Sequence, residues 1–201
     1  MNGRTTSSEP SAEPPRVALV QALLGWFGWR LTGQPPAAAR CVIVFAPHTS
    51  NWDFPLLLLV RIAFGRQVRY LAKHTLLQGP LAWFFRATGA IPVERSQHQD
   101  LVRYLCEVFE RSPALWLALS PEGTRKKTDH WRSGFYYLAL EARVPVLLVF
   151  VDAARRECGV GPLLDLSGDP ERDLEPIRAF YADKRGIVPE NESAIRWKPS
   201  S

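Results

Sequence analysis

His48 and Asp53 are the residues whose types and spacing point most directly to chemistry. They open and close the segment HTSNWD at positions 48–53. A neutral imidazole can take a proton from a hydroxyl. A carboxylate on its other nitrogen holds the tautomer and stabilises the cation that forms. A turn of this length can fold the carboxylate back onto the ring. Taken alone, the pair has a second reading, in which Asp53 caps a helix and His48 is a polar loop residue. The remaining histidines, His74, His98 and His130, show no metal-ligand spacing such as H-E-x-x-H, and no metal is expected.

Three further segments carry candidate binding groups. SPEGTRKK, at 120–127, directly follows an apolar run. Gly123 lets a backbone approach a ligand closely, while Thr124 and Arg125 offer donors and positive charge suited to an anion such as phosphate. Lys126 and Lys127 read as a solvated face, and a plain turn is the competing interpretation of the whole segment. In GAIPVERS, at 89–96, Arg95 emerges at a strand end, where a guanidinium can grip a phosphate with two bonds or serve as a surface ion-pair partner. Lys73, near the end of VRYLAKH at 68–74, is a cation of the same kind.

These residues need a scaffold that gathers them, and the hydrophobic pattern supplies one. Apolar runs at 41–47, 68–74, 90–96, 114–121 and 144–153 read as strands. Pro92 suggests an edge for the third. Helical spacing or capping marks 53–65, 76–89, 99–112, 133–143 and 170–183. Strands alternating with helices predict a single α/β domain with a mostly parallel central sheet flanked by helices. In such sheets ligands gather at the carboxyl ends of the strands, where the polar segments above fall.

Residues 1–15, rich in Ser, Pro, Thr and Glu, read as a disordered tail without the apolar core of a secretory signal. Residues 16–34 read as an amphipathic N-terminal helix. Its apolar stretch at 17–31 is shorter than the ~20 residues that span a bilayer. Trp26, Phe27, Trp29 and the flanking Arg16 and Arg30 suit a helix at a lipid surface, core packing being the alternative. Residues 35–188 form the folded domain, and 189–201 read as a loose tail. The 201-residue chain carries a net charge of +5. A basic balance suits anionic lipid, a phosphorylated substrate or nucleic acid. Acidic residues interleaved with the basic ones, and the lack of a recognition motif, argue against nucleic acid. Three scattered cysteines, Cys41, Cys106 and Cys158, read as core residues in a reducing compartment.

Together these segments resemble the phospholipid and glycerol acyltransferase family, which contains the lysophosphatidic acid acyltransferases. HTSNWD fits that family's H-x4-D motif. LAKHTL is similar to its lysine block, GAIPVERS to its arginine block, SPEGTR to its P-E-G-T-R block and VPVLLVFV to its apolar strand. The likeness covers roughly 40–153, and its strength lies in the order of the blocks. It implies that His48 is the general base toward an acceptor hydroxyl and that Asp53 supports it. It also implies that Lys73, Arg95, Glu122, Gly123, Thr124 and Arg125 bind the acceptor's phosphate and shape the site. The implied donor is an acyl thioester on coenzyme A or acyl carrier protein, with no cofactor. The implied acceptor is a lysophospholipid such as 1-acyl-glycerol-3-phosphate, met by a cytoplasmic protein peripheral to the inner face of a membrane. Two other functions fit the residues: the same chemistry on an amino-acid lipid, glycolipid or specialised metabolite, and a non-catalytic module that binds anionic membranes.

Overall fold

The computed structural model describes residues 14–93 and 98–198. Among these residues seven strands form one sheet in the order β1-β7-β6-β2-β5-β3-β4. They are β1 (Arg30–Thr32), β2 (Arg40–Ala46), β3 (Val68–Lys73), β4 (Ala90–Val93), β5 (Leu115–Leu119), β6 (Val146–Asp152) and β7 (Glu157–Leu164). The helices are α1 (Pro15–Trp26), α2 (Asp53–Phe64), α3 (Ala82–Ala87), α4 (His98–Arg111), α5 (Gly134–Glu141) and α6 (Pro170–Tyr181).

The central strand β2 is buried on both faces from Cys41 to Ala46, which explains its unbroken apolar run. Its side chains alternate between two cores. Val42 and Val44 pack with Leu117, Leu148, Phe109, Phe135 and Leu174 under α4, α5 and α6. Cys41, Ile43 and Phe45 pack with Trp116, Val149, Val60 and Leu24 under α1 and α2. The result is a three-layer α/β/α sandwich. β2, β3, β4, β5 and β6 run parallel, so their carboxyl ends share one edge of the molecule. β4 lies at the sheet's border, where Pro92 deprives no neighbour of a hydrogen bond. All three cysteines are buried and free.

Several expectations need correction. Residues 16–34 are not one separate amphipathic helix. The helix stops at Trp26, and β1 then joins the sheet beside β7. Apolar residues surround α1: Val20 and Leu24 face the core, while Leu19, Leu23 and Trp26 face outward. Gly79 and Pro80 divide the expected helix at 76–89 into a 3-10 turn, His74–Leu77, and the short α3, because proline cannot donate inside a helix. β7, antiparallel to β6, lies where glycines and a proline suggested only turns. A Cβ on Gly159 would collide with the Thr32 carbonyl, so the missing side chain is what lets β1 pair there. The segment from Pro189 to Lys198 is not loose. Trp131 N donates to Arg196 O at 2.8 Å, and the Trp197 indole donates to Pro170 O at 2.9 Å. The expected tail at 1–15 lies almost wholly outside the described residues.

Candidate active site

β2 ends at Ala46, and the chain passes through Pro47 into the turn that begins at His48. Asp53 is the first residue of α2, where the helix dipole favours negative charge. Its carboxylate is completely buried. Oδ2 accepts three hydrogen bonds of 2.9 Å each, from Thr49 N, Ser50 N and the His48 ring at Nδ1. The turn thus folds the carboxylate back onto the imidazole, as the spacing suggested. With Nδ1 committed to Asp53 as a donor, Nε2 keeps its lone pair. The His48 side chain is 21% exposed, so the ring remains within reach of a substrate. The Phe45 ring meets it edge-on at 5.5 Å.

The backbone of the same turn is held from two further directions. His48 N donates to Glu122 Oε2 at 2.9 Å. Thr49 Oγ1 accepts from Val188 N at 3.1 Å, and Thr49 O accepts from the Asn191 side chain at 3.2 Å. The sequence reading missed this second brace, because the C-terminal segment carries no motif.

Glu122 sits inside the site. Its carboxyl is buried against the His48 turn. Burial pushes its pKa from an ordinary 4.5 up to about 8, with the charges of Asp53 and Glu192 adding to the rise and the His48 N–H opposing it. Gly123, the next residue, has φ of +66°, a region open to glycine at little cost. Thr124 Oγ1 accepts from Lys126 N at 3.3 Å and so shapes the turn itself. Arg125, Lys126 and Lys127 project into solvent. Lys73 ends β3 at the same edge of the sheet. It is two strands away from β2, roughly 10 Å at standard strand spacing. No hydrogen bond joins Lys73, Thr124 or Arg125 to His48 among the described residues. Arg95 lies outside those residues.

Beside the pair opens a cavity of about 180 Å3 between α2 and the sheet. That is an order of magnitude above the ~10–15 Å3 a single water needs. His48 and Ser120 lie at its upper end, and Phe45, Leu57, Leu58 and Trp116 line its walls. The Ser120 hydroxyl is buried and has no partner among the described residues, a feature its place beside the P-E-G-T-R segment did not announce.

The arrangement can therefore remove a proton from a hydroxyl held next to an apolar slot. A family model described as Acyltransferase matches residues 30–151, more than half of the chain. The chain belongs to the acyltransferase family. The matched region holds the His48 turn, the P-E-G-T-R turn and every residue lining the cavity except Val160. A solved structure with the same fold is the 1-acyl-sn-glycerophosphate (LPA) acyltransferase, PlsC, from Thermotoga maritima. It matches with a TM-score of 0.56 and 19% identity, over 84% of this chain and 75% of that one. No curated protein matches.

Raised pKa and burial make Glu122 a source of pH-dependent stability in this acyltransferase. A carboxyl whose folded value lies above its unfolded one stabilises fully below the unfolded value, and the gain is lost as pH rises through the folded one. Stability linked to Glu122 is thus present below 4.5 and lost as pH climbs through about 8. In Glu122→Gln the amide oxygen can still accept from His48 N, but the titration is gone. Thermal unfolding followed across this range should show the wild type losing melting temperature more steeply than the variant. Parallel curves would refute the assignment.

Proposed function

We propose that the protein transfers a fatty acyl group from a thioester, on coenzyme A or acyl carrier protein, to a hydroxyl of a lysophospholipid such as 1-acyl-glycerol-3-phosphate. The observation that carries the reading is the His48–Asp53 pair, bonded at 2.9 Å at the upper end of an apolar cavity in a chain of the acyltransferase family.

In this reading His48 Nε2 takes the proton of the acceptor hydroxyl as its oxygen attacks the thioester carbonyl carbon. Asp53 stabilises the imidazolium that results. The carbonyl re-forms, the C–S bond breaks, and the departing sulfur takes the proton from His48. A new ester and a free thiol leave, and the protein is unchanged. A thioester is already activated, so placement of both substrates plus one base can supply much of the rate. The cavity accepts an acyl chain, since few of its lining groups are polar. Arg125 and Lys73 supply positive charge at the strand ends for the acceptor's phosphate, a role we extend to Arg95 from its block in the sequence alone.

The apolar surface supports membrane contact. β7 runs against β6, and Arg30 of β1 pairs with Glu157. This register brings the end of α1 to the same edge as His48. Trp26 is 84% exposed there, Phe27 73% and Trp52 71%. Exposed aromatics beside a site for lipid suit a surface that dips into the bilayer interface. Among the described residues no helix is long and apolar enough to cross a membrane.

Product identification is the test of the acceptor. A mixed lysophospholipid pool offered acyl-CoA and acyl-ACP together should yield a diacyl phospholipid by mass spectrometry. Arg125→Ala should raise KM for a phosphate-bearing acceptor at least ~10-fold. A product lacking phosphate, with indifference to Arg125→Ala, would overturn this choice of acceptor. For the membrane, Trp26→Ser with Phe27→Ser should cut co-sedimentation with anionic vesicles ~10-fold or more. Unchanged co-sedimentation would contradict the docking surface.

A further inference from the structure

The peptide that joins Thr49 to Ser50 is held at both ends. Its N–H, on Ser50, donates to Asp53 Oδ2 at 2.9 Å. Its carbonyl, on Thr49, accepts from the Asn191 side-chain amide at 3.2 Å. A carbonyl oxygen only accepts, so Asn191 must present its nitrogen here. In a trans peptide the N–H and C=O point in opposite directions across one rigid plane, so neither bond can shift without turning the other. A continuous chain therefore runs from Asn191 through this peptide to Asp53 Oδ2, and from there to His48 Nδ1 at 2.9 Å. Hydrogen bonds in series polarise one another, and this series ends on the imidazole.

Asn191 reaches the turn from a segment that is itself tied down. It ends the 3-10 turn Pro189–Asn191, and its own N–H donates to Val188 O at 3.0 Å. Val188 N in turn donates to Thr49 Oγ1 at 3.1 Å. Further back, Ala153 N donates to Arg185 O at 2.7 Å, and Arg185 N donates to the buried Asp152 carboxylate at 3.3 Å. Asp152 ends β6, which pairs with β2. The segment is thus fixed to the same edge of the sheet that carries His48. Gly186 lets it close in. A Cβ there would lie 2.5 Å from both Oγ1 and Cγ2 of Thr49, closer than packed atoms can approach. Gly186, Val188 and Asn191 all lie beyond the region 30–151 that the family model matches.

We propose that Asn191 is a positioning residue for the His48–Asp53 pair, acting through the Thr49–Ser50 peptide, with Gly186 allowing the contact. The proposal rests on the acyl-transfer reading above. Without the Asn191 amide, the Thr49 carbonyl loses this donor and the peptide plane is free to tilt. The Ser50 N–H then moves off Asp53 Oδ2. The carboxylate, whose Oδ1 has no partner among the described residues, re-seats and carries the imidazole with it. A small displacement of a base costs rate out of proportion to its size, because the acceptor hydroxyl and Nε2 must be in line. Substrate binding does not run through this peptide, so the effect falls on kcat and not on KM.

Two measurements test this. Asn191→Asp keeps the shape of the side chain and replaces the donor with an acceptor, and Asn191→Ala removes the group. Both should lower kcat ~10–100-fold, with KM within about twofold of wild type. Gly186→Ala, which presses on Thr49, should lower kcat in the same way. The second measurement needs no catalysis. In protein carrying isotope-labelled histidine, the His48 ring N–H resonance is assigned by its absence from His48→Gln. It should shift and exchange faster with water in both Asn191 variants, while the signals of His74, His98 and His130 stay in place. In folded Asn191→Asp, an unmoved His48 signal with kcat within about twofold of wild type would overturn the proposal. So would a loss confined to melting temperature or to KM. A moved signal in a protein that consumes no thioester would instead count against acyl transfer alone.

Discussion

One buried carboxylate oxygen organises the candidate active site of this protein. Asp53 Oδ2 receives two backbone N–H groups and the His48 imidazole. A buried charge is costly unless it is hydrogen-bonded, so the three donors and the carboxylate require one another. The turn cannot relax without leaving that charge unpaired, and the ring cannot rotate without losing its partner. The other oxygen, Oδ1, has no partner among the described residues, which makes the bonds to Oδ2 all the more necessary.

Every larger feature follows from where that turn must sit. β2 is the strand that carries it, and it is enclosed on both faces and by neighbours on both sides. Glu122, from the end of the adjacent β5, grips His48 N, so the P-E-G-T-R segment supports the turn from within before its arginine reaches outward. Thr49 is anchored in turn by Val188 and Asn191. The wall that α2 forms begins at Asp53 itself. The carboxylate that orients the His48 ring therefore also starts the helix covering the apolar slot, and ring and slot are placed by one element.

Much of this was legible in the residues, for identifiable reasons. The run CVIVFAP declared a central strand because a strand covered on both faces has no polar positions. H-x4-D declared a turn because its two ends must meet, and their contact is what the structure contains. Pro92 marked the sheet's border because a proline donates no ladder bond. What was illegible depended on distant partners. β7 was hidden by Gly159, Gly161 and Pro162, since a glycine demanded by the close approach of Thr32 looks the same in sequence as one demanded by a turn. Glu122 was grouped with its exposed neighbours in SPEGTR, because chain order says nothing about which side chain turns inward. The C-terminal brace escaped notice because backbone N–H groups and one asparagine carry no pattern. The cavity is absent space, to which no local spacing corresponds.

We propose that His48, held by Asp53, removes the acceptor's proton in a single displacement from thioester to hydroxyl. Free-thiol release by wild type and by His48→Gln, with an acyl thioester and a lysophospholipid acceptor, tests it most directly. Circular dichroism would confirm that the variant is folded. Release that requires the acceptor, and falls ~10²–10⁴-fold in the variant, is the predicted result. Release that proceeds without acceptor, or that persists within about threefold in folded His48→Gln, would contradict it.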